Sequence, residues 1–141
     1  VVLQAETDLD PFCHWAKAGT PPGGQLWMQI NHPGRQVYEA MGETALSPSD
    51  VALDMGNLSK LFAQPRAMTE AEIETLIERF ATTSQKAESA GFTGVQVHAA
   101  HGYLISQFLS PLSNVSQTVL LLVQLLVVQL AETKLLSMVQ L

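Results

Sequence analysis

The sequence is 141 residues long, 47% apolar, and carries a formal net charge of −6. That length and apolar content suit a domain-sized core, and the acidic balance without a Lys/Arg cluster argues against nucleic acid or an anionic membrane as partner. Cys13 is the only cysteine, which excludes an intrachain disulfide and makes a reducing, cytoplasmic setting the expected one.

The chain opens at Val1 without a basic-then-apolar leader, and Val1 to Leu3 reads as the end of a strand or a loop leaving one. Asp10-Pro11 reads as an N-cap followed by proline at the first helical position. Phe12, Trp15 and Ala16 then share a helical face, and Gly19 is a natural stop. After the TPPGG loop, Gln25 to Asn31 reads as a strand. Its alternation puts Leu26, Met28 and Ile30 on one face and Trp27, Gln29 and Asn31 on the other. His32-Pro33-Gly34-Arg35 ends the strand in a turn; His32 and Arg35 suit either anion binding or a structural role. Val37 to Arg66 is long and irregular, the kind of segment that often forms a lid or rim.

A helix is expected from about Glu70 to Ala90. Thr69 and Glu72 have capping-box spacing, and Ile73, Leu76, Ile77, Phe80, Ser84 and Ala87 form an apolar stripe. Gly91 stops it and Phe92 packs against the end. Gly94 to His98 (GVQVH) then reads as a strand, with Val95 and Val97 on one face and Gln96 and His98 on the other. If the valines face helices, His98 faces the sheet interior at the strand's C-terminal end, where parallel α/β proteins house chemistry.

His101 and Tyr103 follow close enough to converge with His98. Two imidazoles can donate to one carbonyl oxygen and stabilise an enolate, and a phenol can deliver a proton to carbon. That trio suits hydride addition to an activated C=C bond. A mutually satisfied polar pair and a zinc site are the competing readings for the histidines, and no nearby acidic residue or cysteine completes a metal set. Gln29 shares the inward parity of His98. Its amide complements the C=O/N–H edge of an imide such as a flavin's pyrimidine ring, although a strand glutamine is more commonly a core hydrogen-bonder.

From Val115 onward the sequence is almost only Leu, Val, Gln, Ser and Thr, with Glu132 and Lys134 its charges. The run from Thr118 to Ala131 is shorter than the roughly 20 apolar residues a membrane span needs. Residues 115–141 are therefore expected to be a divergent apolar tail, helical or poorly ordered, with no membrane as its natural partner and self-association open to it.

The segments GVQVHAAHGYLISQFLSPLSN, QLWMQINHPGRQ and PRAMTEAEIETLIERFATTSQKAESAGF resemble the old yellow enzyme family of NADH:flavin oxidoreductases, and its HAAHGYL branch most closely. The resemblance covers most of Gln25 to Asn114. It implies an α/β fold, with residues 1–114 a partial (β/α)8 TIM barrel of about two to three βα units that does not close, since the whole barrel takes about 250 residues or more. It also implies FMN as cofactor, NADH or NADPH as reductant, and an α,β-unsaturated carbonyl compound as small-molecule substrate. Matched residue by residue, Gln29 corresponds to the flavin-contacting glutamine, His98 and His101 to the pair that holds the substrate's carbonyl oxygen, and Tyr103 to the proton donor.

The family's upstream strand, the Arg/Gly-containing stretch that normally follows SPLSN, and the later phosphate-binding loops have no counterpart here. The expectation is thus an FMN-dependent ene-reductase segment that is inactive alone. The alternative is a non-enzymatic truncated product that associates through its tail with itself or a membrane.

Overall fold

The computed structural model describes residues 2–115 and 136–140. Helix α1 (Asp10–Gly19) leads to strand β1 (Trp27–Ile30). An irregular excursion follows, with two 3₁₀ turns (Glu39–Met41 and Gly56–Leu61) and the two-residue strands β2 (Leu46–Ser47) and β3 (Arg66–Ala67). Helix α2 (Glu70–Ala90), strand β4 (Gly94–His98), helix α3 (Leu104–Leu109) and strand β5 (Leu136–Gln140) complete the order.

Helix α2 has the bounds its sequence signals predict. The Thr69 hydroxyl accepts from the Glu72 N–H at 3.3 Å, and the Glu72 carboxylate accepts from the Thr69 N–H at 2.8 Å. Two orphan donors of the first turn are thereby satisfied. The same carboxylate takes a two-pronged ion pair from Arg66, with contacts of 2.6 and 2.9 Å. At the other end Gly91 is left-handed (φ 98°) and its N–H bonds the carbonyls of Ala87 and Glu88. The Phe92 N–H also reaches Ala87, closing a Schellman-type end.

All six residues of the expected stripe are buried, joined by Ala81 and Ala90. The stripe packs on one face of the sheet, against Met28 and Ile30 of β1 and Val95 and Val97 of β4, with Phe12 and Ala16 of α1 in the same cluster. Fully burying a valine side chain is worth about 1.5–3 kcal/mol, so the two β4 valines anchor that face strongly. Thr93 pins the register just before β4. Its N–H and hydroxyl both bond the Leu26 carbonyl at 3.0 Å, while its oxygen accepts from the Leu26 N–H at 2.9 Å. Strands β1 and β4 then pair in parallel from Trp27↔Gly94 to Ile30↔Val97, and β5 pairs in parallel on the far side of β4.

Three details differ from the sequence reading. Helix α1 is not capped by Asp10: Leu9 is the N-cap, and the Asp8 carboxylate accepts from the Asp10 N–H at 3.1 Å. Trp15 is half exposed, and packs edge-on against Phe92 with ring centroids 5.4 Å apart. Within the segment expected to be a helical or poorly ordered tail, Leu136–Gln140 form strand β5. The exposed edge of β4 offers a row of backbone donors and acceptors, and Leu136–Gln140 pairs with it. The remainder of the tail, residues 116–135 and 141, lies outside the described residues.

Replacing Thr69 by Ala removes the cap and should lower stability by about 0.5–2 kcal/mol in urea unfolding. The Glu72 carboxyl is held down at about 2 by the hydrogen bonds from Arg66 and then by the Thr69 N–H. Its folded value lies below the ordinary 4.5, so this contribution is present above about pH 4.5 and lost as pH falls toward about 2. In Arg66→Ala the stability-versus-pH curve should flatten across that window; an unchanged slope would show the ion pair to be without effect in solution.

Candidate active site

The register of β1 on β4 sends Gln29, Gln96 and His98 to the face opposite the helices. Gln29 stands directly across from Gln96, and its Nε2 donates to the Gln96 Oε1 at 2.7 Å. His98 lies two residues further along β4, so roughly 8 Å separates its backbone from that of Gln29, given strand rise and spacing. Beyond His98 the chain turns through two left-handed residues, His101 (φ 56°) and Gly102 (φ 71°). This turn swings the His101 ring back, and its Nδ1 lies 3.1 Å from the His98 Nε2. Tyr103 is the N-cap residue of α3, and its ring stands edge-on to His98 with centroids 5.1 Å apart.

Three of the four residues singled out in the sequence therefore meet at one point, at the C-terminal end of β4. Gln29 stays one strand away on the same face. His98 is buried, and its Nδ1 has no hydrogen-bond partner among the described residues. His101 is exposed and Tyr103 partly so. The two facing nitrogens can share one proton between themselves, or each can donate to an atom that comes between them. No group of three His, Cys, Asp or Glu side chains that could hold a metal forms among the described residues.

The HPGRQ segment has a structural role. The His32 Nδ1 accepts from the Gly34 N–H at 3.1 Å, which favours a neutral ring. Burial, and then the Arg79 charge, hold the imidazole at about 4. Arg35 donates through one terminal nitrogen to the carbonyls of Val51 and Ala52. It thus ties the irregular excursion to the turn instead of presenting a bare cation. An open cavity of about 740 Å³ borders β1, lined by residues that include Leu3, Phe12, Gln29, His32 and Arg79. It includes none of His98, His101 and Tyr103. It lies on the side of β1 that pairs with no strand among the described residues, away from the polar cluster at the end of β4.

Sequence reasoning missed Gln96 and Gln107. Gln96 is the cross-strand partner that orients the Gln29 amide, and its inward parity was the available signal. Gln107, buried in α3, bonds the HPGR turn and the loop before α3. Nothing in its local sequence marks it.

A parallel sheet backed by helices on one face, with polar side chains collected at a strand's C-terminal end, is the construction of a barrel-type α/β enzyme. The comparisons agree. The pattern of the NADH:flavin oxidoreductase / NADH oxidase family matches residues 5–118, and the chain belongs to that family. It is 44% identical over 106 residues to the NADH-dependent flavin oxidoreductase nadA of Aspergillus parasiticus, covering 75% of this chain and 24% of that protein. It is 41% identical over 92 residues to the NADPH dehydrogenase of Clostridium acetobutylicum, covering 65% of this chain and 25% of that one.

Among solved structures, a morphinone reductase variant in complex with tetrahydroNAD superposes with a TM-score of 0.79 at 25% identity, over 90% of this chain and 41% of that one. The Old Yellow Enzyme from Pichia sp. gives 0.76 at 26% identity, over 89% and 37%. The described sheet is accordingly a part of a (β/α)8 barrel, left unclosed. The chain spans about a quarter of the length of these curated relatives.

Because the folded value of His32 lies below the ordinary 6.5, stability should fall as pH drops below about 6.5 and level off below about 4. In His32→Asn, which keeps an acceptor for the Gly34 N–H, urea unfolding between those pH values should lose most of this dependence.

Proposed function

We propose that the whole protein to which this chain corresponds is an FMN-dependent oxidoreductase of the old yellow enzyme type, using NADH or NADPH to reduce the C=C bond of an α,β-unsaturated carbonyl compound. The observation that carries this reading is the convergence of His98 Nε2 and His101 Nδ1 at 3.1 Å beside the Tyr103 ring. FMN, when bound, supplies the hydride for the β-carbon. Gln29 suits the flavin's pyrimidine edge. Its amide is solvent-facing, and the bond to Gln96 leaves its oxygen and one N–H available.

His98 and His101 separate enough to admit a carbonyl oxygen and each donates to it, so that charge developing there is met by two fixed donors. For His98 this leaves the Nδ1 as the acceptor position, which has no partner among the described residues. Tyr103 delivers a proton to the α-carbon from beside the same histidine pair. Its place at the N-cap of α3 fixes the backbone from which the phenol projects.

The chain as it stands carries the groups that would activate the substrate and meet the pyrimidine edge. Among the described residues one edge of β1 carries no partner strand, and we propose that alone the chain binds FMN weakly and does not turn over. Its single cysteine fits a reducing, cytoplasmic setting. Self-association through residues 115–141 is the second reading, favoured by the exposed apolar side chains of Leu109, Leu112 and Val115 that lead into the tail. Light scattering on the chain with and without those residues tests it.

Two measurements test the enzymatic proposal. Purified chain should emerge without yellow flavin and show no cyclohexenone-dependent NADPH oxidation; either signal would overturn its inactivity. Residues 25–114 grafted into the corresponding part of the Clostridium NADPH dehydrogenase should support enone reduction. In that background His98→Ala should lower kcat about 10²–10³-fold, and Tyr103→Phe should lower it about 10²–10⁴-fold while flavin reduction by NADPH continues. Full activity in both variants would sink the assignment.

A further inference from the structure

The left-handed pair His101–Gly102 needs an explanation, since a non-glycine residue held there costs about 1–3 kcal/mol unless its surroundings enforce it. Both carbonyls of the pair are held by glutamines. The Gln36 Nε2 donates to the His101 carbonyl at 2.8 Å, and the Gln107 Nε2 donates to the Gly102 carbonyl at 2.6 Å. Gln107 also donates to the Pro33 carbonyl at 3.3 Å and accepts from the Arg35 N–H at 3.2 Å. A Leu104 N–H to His32 carbonyl bond of 3.0 Å closes the contact.

Gln107 is only 1% exposed, so none of its three bonds can be replaced by bulk water at little cost. Its amide is also directional. The oxygen must face the Arg35 N–H and the nitrogen must face two carbonyls, which a carboxylate cannot do. Close packing reinforces this. A Cβ added to Gly34 would fall 2.3 Å from the Gln107 amide, and one added to Gly102 would fall 2.9 Å from the Gln36 Nε2. The glycines are the space the two amides occupy.

We infer that Gln36 and Gln107 are positioning residues: they clamp the His101–Gly102 turn onto the HPGRQ turn of β1 and so set where the His101 ring and the Tyr103 phenol stand relative to His98. Neither amide contacts the converging ring nitrogens; both act through the backbone on either side of them. The significance for catalysis rests on the proposed role of the histidine pair, but the clamp itself is a statement about geometry. Lines β1 and β4 are neighbours through the sheet, and the two amides extend that neighbour relation past the strand ends, into the loops.

The test is a through-hydrogen-bond ¹⁵N–¹⁵N coupling between His98 Nε2 and His101 Nδ1, measured by NMR on the ¹⁵N-histidine-labelled chain. The coupling should be present in the native chain. It should be lost in Gln36→Met and Gln107→Met, which keep length and lose the amide, while far-UV circular dichroism stays native. Gln36→Lys, which restores a donor, should recover it.

Gln107→Met removes three buried bonds and could unfold the chain. Gln36→Met removes one bond at a partly exposed site, so it decides the question by itself. Native-strength coupling in folded Gln36→Met overturns the clamp, as does its absence in the native chain. Failure of the grafted His98→Ala variant to lose activity would instead overturn the substrate role and leave the coupling result standing.

Discussion

Parallel pairing of β1 with β4 in a single register is the constraint on which the rest depends. A slip of one residue would exchange the faces of a whole strand and carry His98 into the helix-covered core. Two independent features oppose that slip. Val95 and Val97 are fully buried against the α2 stripe, and Thr93 exchanges three hydrogen bonds with Leu26 at the point where the two strands begin to run together. Once the register is fixed, the inward set of Gln29, Gln96 and His98 follows without further choice. The placement of these polar side chains at the end of β4 is thus set by apolar packing on the opposite face of the sheet.

The parts legible in the sequence were those whose causes are local. Helix α2 announces itself with a capping box, a stripe at helical period and a glycine stop, and each makes the contact it implies. The alternation in β4 likewise assigns His98 to its face. What the sequence hid was produced by partners far along the chain. Arg35 reads equally well as an anion ligand until the Val51 and Ala52 carbonyls are found on it. The excursion between β1 and α2 owes its order to the Tyr38–Phe62 stack and to a two-residue parallel pairing, neither visible in a local window. Gln107 resembles an ordinary surface glutamine of a short helix. Only the tertiary fold turns it inward.

The unclosed barrel also explains which polar groups meet solvent. In a closed barrel the inward face of β1 would look onto opposite strands; here Gln29 is exposed and bonds sideways to Gln96. The edge of β4 opposite β1 has the same origin. Its unpaired backbone groups form a template for whatever extended segment comes within reach, and β5 takes that place. Backbone pairing asks little of side-chain identity. Leu136–Gln140 can therefore join the sheet as a parallel strand on backbone pairing alone.

A contrast in polar satisfaction separates the groups that hold the site from those proposed to act in it. Gln107 spends three bonds on backbone atoms, Gln36 one, and the Thr93 hydroxyl two, all within the chain. A fully bonded amide is directional and cannot turn away, which makes it a good brace. His98, also buried, leaves its Nδ1 without a partner among the described residues and shares its Nε2 with a neighbour that could equally give way to an incoming oxygen. A buried imidazole with an unmet position costs stability that packing must offset. Proteins tolerate that cost where a ring must remain free to change partners. The same division of labour explains why the brace lies in backbone-bonded glutamines and not in further histidines: a positioning group should be one that no proton transfer at the site can alter.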